Sequence, residues 1–158
     1  MAEKLTHLNE RGEAHIVDIG DKPITRRRAV AQAYLVADVE TVTAIMGGTL
    51  KKGDALAVAR VAGIMAAKKT SDLIPLCHPL PLTKVEINID ATDEDQIRIE
   101  AIAQTTGQTG VEMEALVAAS TAALTLYDMA KAIDKYMTIT NILVVEKTGG
   151  KSGTFARA

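Results

Sequence analysis

Aromatic side chains are scarce in this sequence, which has no tryptophan, one phenylalanine and three tyrosines among 158 residues. These aromatics lie far apart along the chain, so the sequence gives no sign of the stacking platform that single-stranded nucleic acids require. The hydrophobic residues make up 47% of the chain, and they must build the core mainly from Val, Ile, Leu, Ala and Met. Such a core is large enough for one domain to fold without disulfides or metals.

An excess of charge of one sign is also missing, because the net charge is -2 and basic and acidic residues are mixed along the chain. This balance argues against nucleic acid as a partner. No run reaches the roughly 18 apolar residues of a membrane helix, so we expect no membrane association. The single cysteine, Cys77, excludes an intrachain disulfide, and the charged start lacks the apolar run of a signal peptide. We therefore expect a soluble, cytoplasmic protein.

The chain shows no linker and no internal repeat, so we predict one domain over residues 1–158, with flexible ends at 1–10 and 148–158. Apolar alternation predicts strands over 15–19, 28–36 and 139–145, and a hairpin over 85–101. Helical spacing and capping residues predict helices over 38–47, 54–69 and 111–135. Three prolines predict an ordered loop over 70–83.

This order of elements indicates an α+β fold, a ferredoxin-like sandwich with a mainly antiparallel sheet and helices packed on one face. The predicted helix over 111–135 carries alanine on several sides. A helix that is apolar on more than one side needs cover on more than one side, which a neighbouring subunit can supply. We therefore expect an oligomer.

Within the proline-rich loop, the triplet Leu76-Cys77-His78 is the first candidate site. Rigid prolines around an imidazole suit a preorganised binding loop. The triplet is equally consistent with a buried thiol and a histidine that only stabilises the loop. A zinc site is disfavoured because the other histidines, His7 and His15, lie far upstream without the usual ligand spacing. We predict no metal site.

Charged residues fall at both ends of the predicted helix over 111–135. Asp128 and Lys131 share a face, and a neighbouring ammonium keeps a carboxylate ionised, as acid–base chemistry requires. A solvated surface ion pair explains their spacing at least as well. Glu112 and Glu114 begin the helix, where they either complement its dipole or accept hydrogen bonds from the N–H edge of a guanine or pterin ring.

The glycine-rich end at 149–153 is not a Walker loop, because the position that needs the first glycine is Val145. It is consistent either with a lid that brings Lys147 or Lys151 to an anion, or with a free tail. Other candidate phosphate contacts are the basic runs at 26–28, 51–52 and 68–69, although such runs are also typical of solvated surfaces.

Three sequence blocks carry a resemblance to a known family: KKGDALAVARVAGIMAAKKTSDLIPLCHPLPLTKVE over 51–86, TGQTGVEMEALVAASTAALTLYDMAKAIDK over 106–135 and EKTGGKSG over 146–153. Together they resemble the cyclic pyranopterin monophosphate synthase (MoaC) family, over nearly the whole chain. The resemblance implies a lyase of molybdenum cofactor biosynthesis. The implied reaction converts 3′,8-cyclo-7,8-dihydroguanosine 5′-triphosphate, a cyclised GTP derivative, to cyclic pyranopterin monophosphate with release of diphosphate.

The resemblance also implies a ferredoxin-like subunit in a homo-hexamer, a trimer of dimers with the active site at the dimer interface. No cofactor is implied, although magnesium can accompany the triphosphate. The catalytic residues carried over are Asp128, Lys131 and Lys52. The substrate-binding residues carried over are Leu76, Cys77, His78, Glu112, Met113, Glu114, Lys147 and Arg27, the last flanked by Arg26 and Arg28.

Two other functions compete with this one. A non-catalytic oligomeric module that binds a pterin or nucleotide would use the same loop and helix without turnover. A different nucleotide-processing enzyme on the same fold, such as a cyclohydrolase, would usually need a metal site that the sequence does not offer.

Overall fold

The computed structural model describes residues 6–158, which form one antiparallel sheet with helices packed against it. In chain order the elements are β1 (Thr25–Val36), α1 (Val39–Gly47), α2 (Ala55–Lys68), α3 (Thr70–Leu73), β2 (Leu82–Asp93), β3 (Gln96–Gly107), α4 (Glu112–Ala130), β4 (Thr138–Thr148) and β5 (Phe155–Ala156). The strand order is β2-β3-β1-β4-β5, and neighbouring strands run antiparallel. Helices connect β1 to β2 and β3 to β4, so the predicted α+β ferredoxin-like fold is confirmed.

The core lies between the sheet and the two longer helices, α2 and α4. Alternate residues of β1 face these helices and are fully or almost fully buried; they are Ala29, Ala31, Ala33 and Leu35. Gly63 brings α2 close to α4, because a Cβ at this position would lie 2.9 Å from the carbonyl oxygen of Ala118 and would collide with Ile87. Small residues therefore set the spacing of the helix layer.

The strand predicted over 15–19 is wrong. Residues 15–19 form no ladder, and only the preceding Ala14 makes an isolated bridge, with Leu8. Their apolar alternation has a different cause, since Val17 and Ile19 line a cavity and Ile16 is largely exposed. The segment forms a wall of that cavity instead of a strand of the sheet.

The last predicted helix is too long, because α4 ends at Ala130 and turns follow over 131–133. The reason is Asp134, which is 4% exposed and accepts hydrogen bonds from the backbone N–H groups of Asp38 and Tyr136, each over 2.9 Å. Asp134 thereby ties the end of α4 to the start of α1. The predicted Asp38 cap makes no side-chain bond of its own, whereas Asp54 caps α2 as predicted.

The other elements agree with the sequence apart from their bounds. Helix α3 occupies part of the predicted loop, and β5 was not predicted. The single domain and its flexible ends stay predictions. Of those ends, residues 1–5 lie outside the described residues, and β5 pairs with β4 at Glu146 and Lys147. Over residues 6–158, no helix combines the length and the apolar character needed to cross a bilayer.

Candidate active site

A cavity of about 380 Å³ opens at the N-terminal end of α4. Its walls are the N-terminal segment, the loop after α3 and the first turn of α4. The lining includes all the residues predicted from the loop and the helix start: Leu76, Cys77, His78, Glu112, Met113 and Glu114. A cavity of this volume suits a small molecule, so the structure brings this part of the predicted site together.

The loop is held in place through His78, whose Nε2 donates a hydrogen bond to the carbonyl of Val17 over 2.8 Å. This bond places a proton on Nε2 and joins two walls of the cavity. Burial raises the pKa of the neighbouring Cys77, and the carboxylates of Glu114 and Glu112 raise it further. Cys77 is therefore a neutral thiol at pH 7, which suits packing against a ligand better than nucleophilic attack.

Beside the cavity, Lys147 of β4 donates a hydrogen bond to Oε1 of Glu112 over 2.6 Å. Burial by itself would raise the pKa of Glu112, but the hydrogen bond from Lys147, a backbone hydrogen bond and the charges of Lys147 and Arg27 together outweigh burial and lower the pKa. Glu112 also lies against Gly110, where an added Cβ would collide with the carboxylate. A larger residue at position 110 would displace this carboxylate, whereas glycine leaves room for it.

Arg27 lies in a small adjoining cleft with Lys147, and the cleft shares Gly110 and Glu112 with the larger cavity. The Nε of Arg27 donates a hydrogen bond to the carbonyl of Gly107 over 3.2 Å. Arg28 also lines the cleft, so three cations adjoin the acidic end of the cavity. Such a cleft can hold phosphate oxygens next to a ring bound in the cavity.

The glycine-rich segment after β4 crosses the end of β1. Gly149 and Gly150 both have positive φ, and a Cβ at Gly150 would lie 2.9 Å from Cζ of Arg27. Only glycine permits this approach without strain. The start of this segment therefore packs on Arg27, while Lys151 is exposed.

The predicted catalytic residues form a second cluster at the other end of α4. Asp128 pairs with Lys131 over 3.2 Å and with Lys52 over 3.3 Å. A hydrogen bond from Lys131 and a weaker contribution from Lys52 lower the pKa of Asp128, which therefore stays ionised. Lys52 also donates to the backbone carbonyl of Asp128 over 2.8 Å. Single exposed ion pairs contribute little to stability, so two lysines on one exposed carboxylate favour a chemical role.

These two clusters are not brought together within one chain. Glu112 and Asp128 lie near opposite ends of the 19-residue helix α4, about 24 Å apart at a rise of 1.5 Å per residue. The remaining basic candidates are exposed and lie outside both clusters; they are Arg26, Lys51, Lys68 and Lys69.

Sequence reasoning missed several residues of the cavity wall, notably Lys22, His7 and Thr109. Gln108 fixes the Lys22 segment by donating to the carbonyls of Gly20 and Lys22, over 3.0 and 3.1 Å. Lys22 lies outside the quoted sequence blocks, so no sequence signal pointed to it. Gln108 lies within the block over 106–135, but its contact with the distant Lys22 segment leaves no local pattern. Among residues 6–158, no group of three or more His, Cys, Asp or Glu side chains could hold a metal ion.

Comparison with known proteins gives a consistent result. A family model described as the MoaC family matches residues 16–150. The cyclic pyranopterin monophosphate synthase of Thermomicrobium roseum is 57% identical over 158 residues, covering 99% of this chain and 95% of the relative. That of Dinoroseobacter shibae is 58% identical over 152 residues, covering 96% of each. That of Herpetosiphon aurantiacus is 57% identical over 152 residues, covering 96% of this chain and 93% of the relative.

Proposed function

The chain belongs to the MoaC family, and from this premise we propose that it is a lyase of molybdenum cofactor biosynthesis. It converts 3′,8-cyclo-7,8-dihydroguanosine 5′-triphosphate to cyclic pyranopterin monophosphate and releases diphosphate. The observation that carries this proposal is the cavity at the start of α4, where two glutamates adjoin the Arg27 and Lys147 cleft. Hydrogen-bond acceptors beside cations match a ring with N–H donors that is linked to a triphosphate.

In this arrangement the ring of the substrate occupies the larger cavity. Glu112, Glu114 and His78 orient the ring and select its tautomer, while Leu76, Cys77 and Met113 supply apolar contacts. The phosphates extend toward Lys147 and Arg27. Positioning of this kind lowers the barrier because the reacting atoms are already aligned.

The chemistry belongs to the Asp128 cluster. Lys131 and Lys52 transfer protons while the guanine-derived ring opens and closes again as a pyranopterin, and Asp128 holds Lys131 in position through their ion pair. A sugar hydroxyl then attacks the innermost phosphorus, and its proton passes to a lysine of this cluster that has already given its own proton to the ring. The bond from that phosphorus to its bridging oxygen breaks, and diphosphate leaves with the electron pair. Preorganised cations stabilise the charge that develops on the leaving group.

The separation of the clusters supports an active site built from two subunits. A general acid must lie within about 3 Å of the atom that it protonates, so the Asp128 cluster of a chain cannot act on a ring bound at its own Glu112. We therefore propose that the partner in a dimer supplies this cluster, and that three dimers form a hexamer. The apolar face of α2, which leaves Val58, Val61 and Met65 at 44%, 57% and 52% exposed, is consistent with cover by another copy.

The proposed enzyme works in the cytoplasm and requires no cofactor. A magnesium ion that accompanies the triphosphate would enter as part of the substrate. Its partners are the substrate and other copies of the chain, without nucleic acid.

Turnover of the enzymatically prepared triphosphate tests the function directly. Diphosphate release and pterin fluorescence after oxidation are followed for the wild type, Lys131→Ala and Lys135→Ala. Lys135 is the matched control because it is an exposed lysine four residues further on, outside both clusters. We expect product from the wild type and Lys135→Ala, and almost none from Lys131→Ala. A well-folded wild-type oligomer that binds the triphosphate without converting it would instead indicate the binding module.

A further inference from the structure

Glu112 and Glu114 lie two residues apart at the start of α4 but in opposite electrostatic surroundings. Glu112 forms an ion pair with Lys147, and the side chain of Glu112 is 28% exposed. Glu114 is only 4% exposed, and within residues 6–158 no lysine, arginine or histidine lies at ion-pair distance from it. The structure therefore buries one of the two acids without a cation.

Within one chain, the groups around Glu114 come from every wall of the cavity, and in the proposed dimer the partner's Lys52 and the partner's Lys131 face the ring from the other side. On α4 its titratable neighbour is Glu112; the loop contributes Cys77 and His78, and the N-terminal segment contributes His7 and Lys22. Burial raises the pKa of Glu114 to about 7, and Glu112 adds to the rise. A backbone hydrogen bond from its own N–H offsets part of this rise. A buried carboxylate without a cation is still costly, and protonation removes that cost.

We propose that Glu114 binds the ring of the substrate as a neutral carboxylic acid that donates a hydrogen bond, while Glu112 accepts one as a carboxylate. A protonated carboxyl group offers one O–H donor, whereas a carboxylate can only accept. A guanine-type edge presents a carbonyl acceptor next to N–H donors. The two glutamates together are complementary to such an edge, whereas two carboxylates would leave the carbonyl without a donor.

This inference rests on the proposed function, since it names the ring that the cavity receives. Substrate affinity then depends on a proton that Glu114 holds in the free enzyme. When only the neutral form of a group with a pKa near 7 is competent, affinity falls about tenfold between pH 6 and pH 8, because the competent fraction falls by that factor.

The dissociation constant of the same triphosphate tests this dependence. It is measured by calorimetry at pH 6 and pH 8 in the Lys131→Ala protein, in which turnover is expected to be negligible. In this background we add Glu114→Gln, whose amide keeps a donor but does not titrate, or Glu94→Gln as a matched exposed control. We expect about tenfold weaker binding at pH 8 in the background and the control, and a clearly smaller change with Glu114→Gln. Any change in the ionisation of the triphosphate between pH 6 and pH 8 affects all three proteins equally, so it does not alter the comparison between them.

Tighter binding at pH 8 that is lost in Glu114→Gln would overturn the inference, because Glu114 would then act as a carboxylate. Failure of the triphosphate to bind the background protein would contradict the proposed function instead.

Infrared difference spectra of the ligand-free wild type and Glu114→Gln provide a readout without substrate. We expect a carbonyl band of a protonated carboxyl group at pH 6 that fades by pH 8. A spectrum without that band at pH 6 would overturn the inference regardless of the binding result.

Discussion

Glu112 and Asp128 project from the same helix, α4, at opposite ends. The distance between them divides the predicted active site, because one cluster binds the ring and the phosphates while the other carries the acid–base groups. A site that needs both clusters must take them from different subunits. This arrangement can be tested by restoring activity from two inactive variants.

Coexpression of Lys131→Ala with Glu112→Gln should restore activity that neither variant has alone. In a mixed two-fold dimer, one site receives both substitutions and the other receives none. Random pairing then gives about a quarter of the wild-type turnover. The matched control pairs Lys131→Ala with Asp128→Asn, which damage the same cluster and should restore nothing. Equal activity of the two mixtures would contradict a shared site.

Gly110→Ala should displace the Glu112 carboxylate, because the new Cβ would collide with it. The displaced carboxylate would no longer meet the ring, and loss of a charged hydrogen bond to the substrate, worth roughly 1.5–3 kcal/mol, corresponds to about a tenfold or larger rise in KM. Steady-state kinetics measure the change. The control is Gly47→Ala, where the added Cβ meets no atom closer than 4.0 Å. A normal KM for Gly110→Ala would show that the position of Glu112 is not critical.

Much of this fold could be predicted because the spacing of apolar residues indicates which side of a strand or helix is buried. The alternation in residues 28–36 matches β1, and the spacing after Asp54 matches α2. Periodicity failed where burial had another cause. Val17 and Ile19 alternate because they line a cavity, and α4 stops early because Asp134 bonds to a distant backbone N–H. Such long-range contacts leave no local pattern in the sequence.

The candidate site shows the same division. The loop at 76–78 and the first turn of α4 could be recognised from the quoted sequence blocks, and the structure places them around one cavity. The spacing of Asp128 and Lys131 indicated their contact, but the approach of Lys52 depends on how α2 packs beside α4. The different surroundings of Glu112 and Glu114 also could not be predicted, since Lys147 comes from β4.

Glu114 should make stability fall as pH rises. Its folded-state pKa, about 7, lies above the value of about 4.5 expected for the unfolded chain, so the folded protein binds the proton more tightly. The contribution is complete below pH 4.5 and is lost as pH rises through 7, in total about 3 kcal/mol at 1.36 kcal/mol per pKa unit. Urea unfolding at fixed protein concentration measures it. The wild type should lose stability relative to Glu114→Gln between pH 5 and pH 8, and a constant difference would contradict the raised pKa.

Lys52 and Lys131 both contact the Asp128 carboxylate, yet their removal should have different effects on stability. Lys52 also donates to a backbone carbonyl in the last turn of α4, where carbonyls lack helical partners. Lys52→Ala should therefore lower the free energy of unfolding by about 1 kcal/mol. Lys131→Ala removes only an exposed pair and should cost less than about 0.5 kcal/mol.

Turnover should respond differently from stability, because loss of a proton-transfer group slows a reaction by about a hundredfold or more. Both alanine variants should therefore show this loss, whatever their stability. Lys52→Arg provides the control, since it keeps the charge and the donor but has a pKa too high for proton transfer. It should restore stability without restoring turnover. If Lys52→Arg turns over substrate normally, Lys52 stabilises the end of α4 and the charge of Asp128, and Lys131 is left as the proton-transfer group of this cluster.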